Sequence, residues 1–149
     1  MPELPDVETF RREALDKVLR KRISGTQVHD KRLLRDTSPQ LLARRLNSRR
    51  LTKSVRRGKF LFAHISGDGW LGLHFGMTGS LEIVRNGDDP DYTSAIIEFR
   101  SPERMAITSK RILGQIRIID DLDAFIDSQD LGPDALDEKL DRRTFIDML

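Results

Sequence analysis

Residues 59–76 read KFLFAHISGDGWLGLHFG. Two apolar runs, KFLFAHI (59–65) and WLGLHFG (70–76), flank SGDG (66–69), a Gly- and Asp-rich connection of the kind that closes a β-hairpin. Short strand patterns continue on the C-terminal side: Leu81 to Arg85, SAIIEFR (94–100), RMAIT (104–108) and GQIRII (114–119), the middle two joined around Ser101-Pro102. Regularly spaced short strands predict an antiparallel β-sandwich or barrel. NGDDPD (86–91) is a loop.

Helices bracket this β region. From Pro5 onward, Val7, Phe10, Ala14, Leu15, Val18 and Leu19 recur at helical spacing, with a stop at Ser24-Gly25. SPQLLARRL (38–46) predicts a second helix, with Ser38 as N-cap, Pro39 in the first helical position, and Leu41, Leu42 and Leu46 as its buried stripe. DLDAFIDSQ (121–129) predicts a third, followed by a stop at LGPDAL (131–136) and the opening of another helix in RRTFIDML (142–149). The expected class is α+β, mostly β: a two-sheet antiparallel sandwich flanked by helices, including a long N-terminal one. One domain is expected over 1–132, with 133–149 a linker and the start of a truncated helical domain.

Composition narrows the function classes. The chain has 149 residues, 38% hydrophobic and 34% charged, as a soluble globular domain requires. No run is long and apolar enough to span a bilayer, and the N-terminus lacks the apolar core of a signal peptide. Zero cysteines exclude disulfides and thiolate metal sites. His29, His64 and His74 lack metal-ligand spacing, so no metal is expected on this chain. Residues 1–75 carry 17 Lys and Arg against 8 Asp and Glu, whereas residues 76–149 carry 9 against 16. A basic half suits a polyanion such as nucleic acid, or pairs with the acidic half.

Four stretches could carry chemistry. Removal of Met1 would expose the secondary amine of Pro2, which is unprotonated nearer neutrality than a lysine and able to form an iminium. Glu3 beside it could serve as a general acid. Taken alone, a proline at position 2 is common and usually inert. In SVRRGKFLF (54–62), Arg56 and Arg57 suit phosphate oxygens and Lys59 could point into a site, or be an ordinary strand-edge lysine. In LHFGMTGSL (73–81), Gly76 and Gly79 flank Met77, either core filler or an apolar wedge for a gap in a base stack. ITSKRILGQI (107–116) carries Lys110, Arg111 and Leu113, with an exposed basic turn as the plain alternative.

MPELPDVETFRR (1–12), RRGKFLF (56–62), LHFGMTGSL and LGPDAL, in that order, resemble the N-terminal domain of formamidopyrimidine-DNA glycosylase and the endonuclease VIII-like enzymes, and the first branch more closely. The resemblance covers essentially the whole chain. It implies a bifunctional base-excision repair enzyme, a glycosylase for oxidised purines coupled to an abasic-site lyase. Residue by residue it implies Pro2 as the nucleophile at C1′, Glu3 as the acid acting on the sugar, and Lys59 as a catalytic and phosphate-binding lysine. Met77 matches a side chain that fills the void after base flipping, and His74 the histidine opening the same motif. The implied partner is damaged double-stranded DNA, bound by a monomer in the cytoplasm, nucleoid-associated in a bacterium. The family's helix-two-turn-helix domain and four-cysteine zinc finger would lie beyond residue 149, leaving no cofactor on this chain.

The sequence departs from the family in places. Asp6 stands where glutamate is usual. The family's DPRRFG loop is SKRILG here (109–114): Arg111 matches its first arginine, Ile112 replaces the second, and Leu113 replaces the wedging phenylalanine. Tyr92 falls where many members carry a DNA-contacting histidine. A second reading is therefore a DNA-binding remnant or fragment without excision activity. A third, a tautomerase using the terminal proline, leaves RRGK and GMTGS unexplained.

Overall fold

The computed structural model describes residues 4–76, 78–85, 89–110 and 114–129. Eight strands form two antiparallel sheets of four. The first, in the order β1-β6-β7-β5, holds β1 (Ile23–Val28), β5 (Gly79–Arg85), β6 (Thr93–Phe99) and β7 (Glu103–Ser109). The second, in the order β2-β3-β4-β8, holds β2 (Leu51–Arg57), β3 (Phe60–Ile65), β4 (Trp70–His74) and β8 (Gln115–Ile119). Side chains alternate across each strand, so Leu61, Ala63, Ile65, Leu71 and Leu73 meet Leu81, Ala95, Ile97, Met105 and Ile107 in one shared core. That core makes the two sheets a sandwich, as expected.

The second sheet is covered on both faces, which explains the unbroken apolar run from Phe60 to Ala63. Phe60, Phe62 and Ile119 point away from the shared core, against Leu122, Phe125 and Ile126 of α3 (Leu122–Ser128). Phe125 meets the rings of Phe60 and Phe62 edge-on at 5.5 and 5.9 Å. Complete burial of a side chain such as Phe62 contributes about 2 kcal/mol. Asp121 caps this helix by accepting from the Ala124 amide, and Ser38 caps α2 (Pro39–Leu46) by accepting from Leu41.

The first helix differs from its expectation. α1 runs from Leu4 to Glu13, and Leu15–Val18 continues as a 3-10 turn. Leu15 and Val18 are buried, so the apolar stripe is real although its second half is not α-helical. Ser24-Gly25 lies inside β1, where the pairing with β6 slips between Ile23 and Gly25. A Gly in a strand that marks such an irregularity looks in sequence like a helix stop.

Candidate active site

Strand register gathers the expected site residues at one end of the sandwich. β2 and β3 turn back through Gly58-Lys59, with Arg57 paired to Phe60. Gly58 has φ 57° at the first of two turn residues, the position that type II′ hairpins give to glycine. Phe60 pairs with His74 at the end of β4, and their rings meet edge-on at 4.7 Å. From His74 the chain passes through Phe75 into the tight turn that ends at Gly79. That residue opens β5 opposite Ser109, whose amide donates to Tyr92 O at 3.0 Å. Lys59, His74, the 76–79 turn and Tyr92 therefore share one rim.

The two glycines of that turn have separate reasons. Gly76 takes φ 64°. Gly79 donates its amide to Phe75 O at 3.0 Å, and a Cβ there would collide with the same carbonyl. Across the rim, a Cβ at Gly114 would meet His74 O at 2.6 Å.

His74 is held in a defined state. The Gly76 amide donates to its Nδ1 at 3.1 Å. Burial, and then the charge of Lys59, push its pKa below the usual histidine value. The ring is thus held neutral with its proton on Nε2, a donor suited to an anionic oxygen.

Tyr92 stands out on the rim: it is 60% exposed, the large hydrophobic side chain left most open among the described residues. Its φ of 62° is left-handed, uncommon for a bulky residue. Lys110 Nζ sits 5.7 Å from its ring centroid, within cation–π range.

Arg56 and Arg57 part company. Neighbours on a strand face opposite ways, and the Arg56 side chain is only 4% exposed. Its Nε lies 3.4 Å from Glu8 Oε1 in α1, and its Nη1 donates to Gly58 O at 3.3 Å. Arg56 thus sits between α1 and the turn that carries Lys59. Arg57 is partly exposed, and both arginines line a polar pocket of about 330 Å³ with Glu8, Arg11, Ser54 and Val55.

Glu8 is a member of this end that the sequence motifs do not single out. Arg11 donates to it from Nε and Nη2 at 2.6 and 2.8 Å, and Arg12 Nη2 lies at 3.2 Å. The hydrogen bonds from Arg11, opposed by burial and reinforced by the charges of Arg11, Arg56 and Arg12, lower its pKa to about 2. The i,i+3 and i,i+4 spacing of Glu8 with Arg11 and Arg12 is a signal legible in sequence. The partnership with Arg56, on a different element, is not.

Pro2, Glu3, Met77, Arg111 and Leu113 lie outside the described residues. Among the described residues no cluster of three or more His, Asp or Glu side chains is placed to hold a metal ion, and no helix is long and apolar enough to cross a membrane.

With this geometry in hand, comparison with known proteins is specific. The sequence model of the formamidopyrimidine-DNA glycosylase N-terminal domain matches residues 1–116. The formamidopyrimidine-DNA glycosylase of Stutzerimonas stutzeri is 33% identical over 144 residues, covering 95% of this chain and 52% of that protein. That of Solibacter usitatus is 39% identical over 99 residues, 66% of this chain and 36% of the relative. Among solved structures, MutM in complex with DNA containing carbocyclic 8-oxo-G superposes with a TM-score of 0.79 at 26% identity, covering 88% of this chain and 49% of that one. Lactococcus lactis Fpg in complex with abasic-site DNA gives 0.75 at 25%, covering 85% and 47%. The chain spans about half the length, or less, of the relatives it matches.

Proposed function

Because this chain belongs to the formamidopyrimidine-DNA glycosylase family, through that family's N-terminal domain, we propose that it is the catalytic part of a base-excision DNA repair enzyme. It removes oxidised purines from double-stranded DNA and cleaves the resulting abasic site as a lyase. The observation that carries this reading is the convergence of Lys59, a neutral His74, the glycine-flanked 76–79 turn and exposed Tyr92 on one rim.

In this reading, the Pro2 nitrogen bonds to C1′ as the glycosidic bond breaks, and the base leaves with the bonding pair and a proton. Protonation of the ring oxygen by Glu3 opens the sugar to an iminium. Loss of a C2′ proton then expels the 3′ phosphate, and water releases Pro2 from the product. Lys59 and the Nε2–H of His74 steady backbone phosphate. Met77, Arg111 and Leu113 fill the space left by the displaced nucleotide, with Arg111 opposite the orphaned base. Tyr92 contacts the strand beside them. Arg57 supplies a further phosphate contact, while Arg56 positions the Lys59 turn.

Borohydride trapping on abasic-site DNA tests the proposal. With Met1 shown by mass to be removed, a covalent adduct forms and is lost in Pro2→Gly. Absence of an adduct from the processed protein would leave a DNA-binding module without excision chemistry.

A further inference from the structure

At the end of the sandwich opposite Lys59 the backbone forces arginines together. Ile23 N donates to Arg49 O at 2.8 Å, Arg100 N to Arg22 O at 2.9 Å, and Ser66 N to Arg50 O at 2.8 Å. Arg22 and Arg50 form a bridge that places like charges directly across from each other, an arrangement that ordinarily destabilises a pair. The last turn of α2 adds Arg44 and Arg45. A helix C-terminus accounts for those two, but not for Arg22, Arg49, Arg50 and Arg100.

The β3–β4 turn is shaped around two of these guanidiniums. Gly67 and Gly69 have φ of 98° and 88°, and a Cβ at either would strike Arg49 or Arg45 respectively. Arg49 Nη1 donates to Ser66 O at 3.2 Å. Arg44, Arg45 and Arg49 then line a pocket of about 390 Å³ with Ile65, Gly67 and Asp68. Carboxylates on the neighbouring elements neutralise the group only in part. Asp120 is engaged by Arg45, Glu103 by Lys21 and Arg85, and Asp68 lines the pocket. Even with Asp121, which caps α3 beside Asp120, the six arginines outnumber the carboxylates, and Arg44, Arg49, Arg50 and Arg100 are exposed.

We propose that this arginine end is a second nucleic-acid site, gripping backbone phosphodiesters away from the rim that holds Lys59. The cations run from α2 and the β3–β4 turn of the second sheet across to β1 and β6 of the first, a spread that suits a linear polyanion better than a single small anion. Arginine forks match phosphate oxygens in pairs. The six residues of β3 separate the two ends by about 20 Å. The site holds a flanking or second segment of nucleic acid, without reading its sequence. It requires neither damage nor Schiff-base chemistry, so it stands or falls separately from the excision activity.

The test uses the full chain, a fluorescein-labelled undamaged DNA duplex, and anisotropy over a series of salt concentrations. In Arg44→Gln/Arg49→Gln/Arg50→Gln the slope of log affinity against log salt should flatten by about 0.9 for each phosphate that is no longer neutralised. Amide hydrogen exchange of the unmodified chain gives a readout that does not depend on how the variant folds. Bound duplex should protect residues 44–50 and 66–69 as well as the Lys59 rim. An unchanged slope, or protection of the rim alone, would overturn the proposal. Equal protection of 44–50 by polyglutamate of matched charge would also overturn it, making the surface one for acidic peptides.

Discussion

The two ends of the sandwich are both basic and both built on glycine turns, yet they hold their charges differently. At the Lys59 end the charges are tied into the frame. Arg56 is buried between Glu8 and the Gly58 carbonyl, and His74 is fixed by a backbone amide. At the arginine end most guanidiniums stand on long, exposed stems, and two lean on the Ser48 and Ser66 carbonyls at 3.5 and 3.2 Å. Chemistry on a sugar carbon needs groups held to a fraction of an ångström, and a short framework supplies that. Phosphate grip tolerates mobile cations, because counterion release does not depend on one geometry.

The sharpest way to break this contrast is to remove one ion-pair partner at each end. Glu8→Gln leaves the Arg56 charge buried with its carboxylate gone and should cost about 3 kcal/mol, read as a lower urea midpoint. Arg45→Gln, which removes the ion pair to an Asp120 that is 78% exposed, should cost under about 1 kcal/mol. Equal losses would mean that the two ends are built alike. Acid titration adds a pH signature. The Glu8 pKa is depressed from 4.5 to about 2, so its stabilisation is complete above pH 4.5 and is lost as pH falls toward 2. Glu8→Gln should therefore flatten the fall in stability over that window.

A smaller contrast comes from the turn glycines. Gly79→Ala drives a methyl group into the Phe75 carbonyl and should cost about 2 kcal/mol, with displacement of the 76–79 turn. Gly67→Ala meets only the movable end of Arg49 and should cost about 1 kcal/mol, nearly all from its left-handed backbone. Thermal melts of the pair separate the two mechanisms. Tyr92→Gly should go the other way, raising stability by up to about 1 kcal/mol through relief of its positive φ while weakening DNA binding. A variant that lost both would make Tyr92 a packing residue.

The finest comparison is spectroscopic. Lys59→Met removes one of the two causes that depress His74, so its ring should titrate at higher pH by NMR. In the unaltered protein the depressed pKa means that His74 favours folding above its ordinary titration range and ceases to do so as pH falls through it. A His74 titration unmoved by Lys59→Met would show that the two do not share a rim.

The sequence is most readable where periodicity alone decides. The 59–76 hairpin and the Ser38 cap need only alternation and local hydrogen bonding. α1 is shorter than its apolar stripe because Leu15 and Val18 fit a 3-10 turn and an α-helix equally well at a spacing of three. The burial of Arg56 beside a partly exposed Arg57 follows the alternation of β2. Glu8 as the partner of Arg56, and the crowding of Arg22, Arg50 and Arg100, depend on register between distant strands, which no local pattern encodes. The roles proposed for Pro2, Glu3, Met77, Arg111 and Leu113 rest on the motifs alone, since these residues lie outside the described ones.

The covering of the second sheet by α3 also decides where this domain can be cut. The match to the family's N-terminal domain ends at residue 116, but a chain trimmed there would lose Ile119 and bare Phe60 and Phe62, which α3 otherwise covers. Those two rings on β3, with Val55 and Trp70 on the neighbouring strands, would become an adhesive patch. The seven residues of α3 are too few to hold a helix alone and gain their order from those same rings. The smallest piece that should stay soluble therefore runs through Ser128, well past the end of the matched domain.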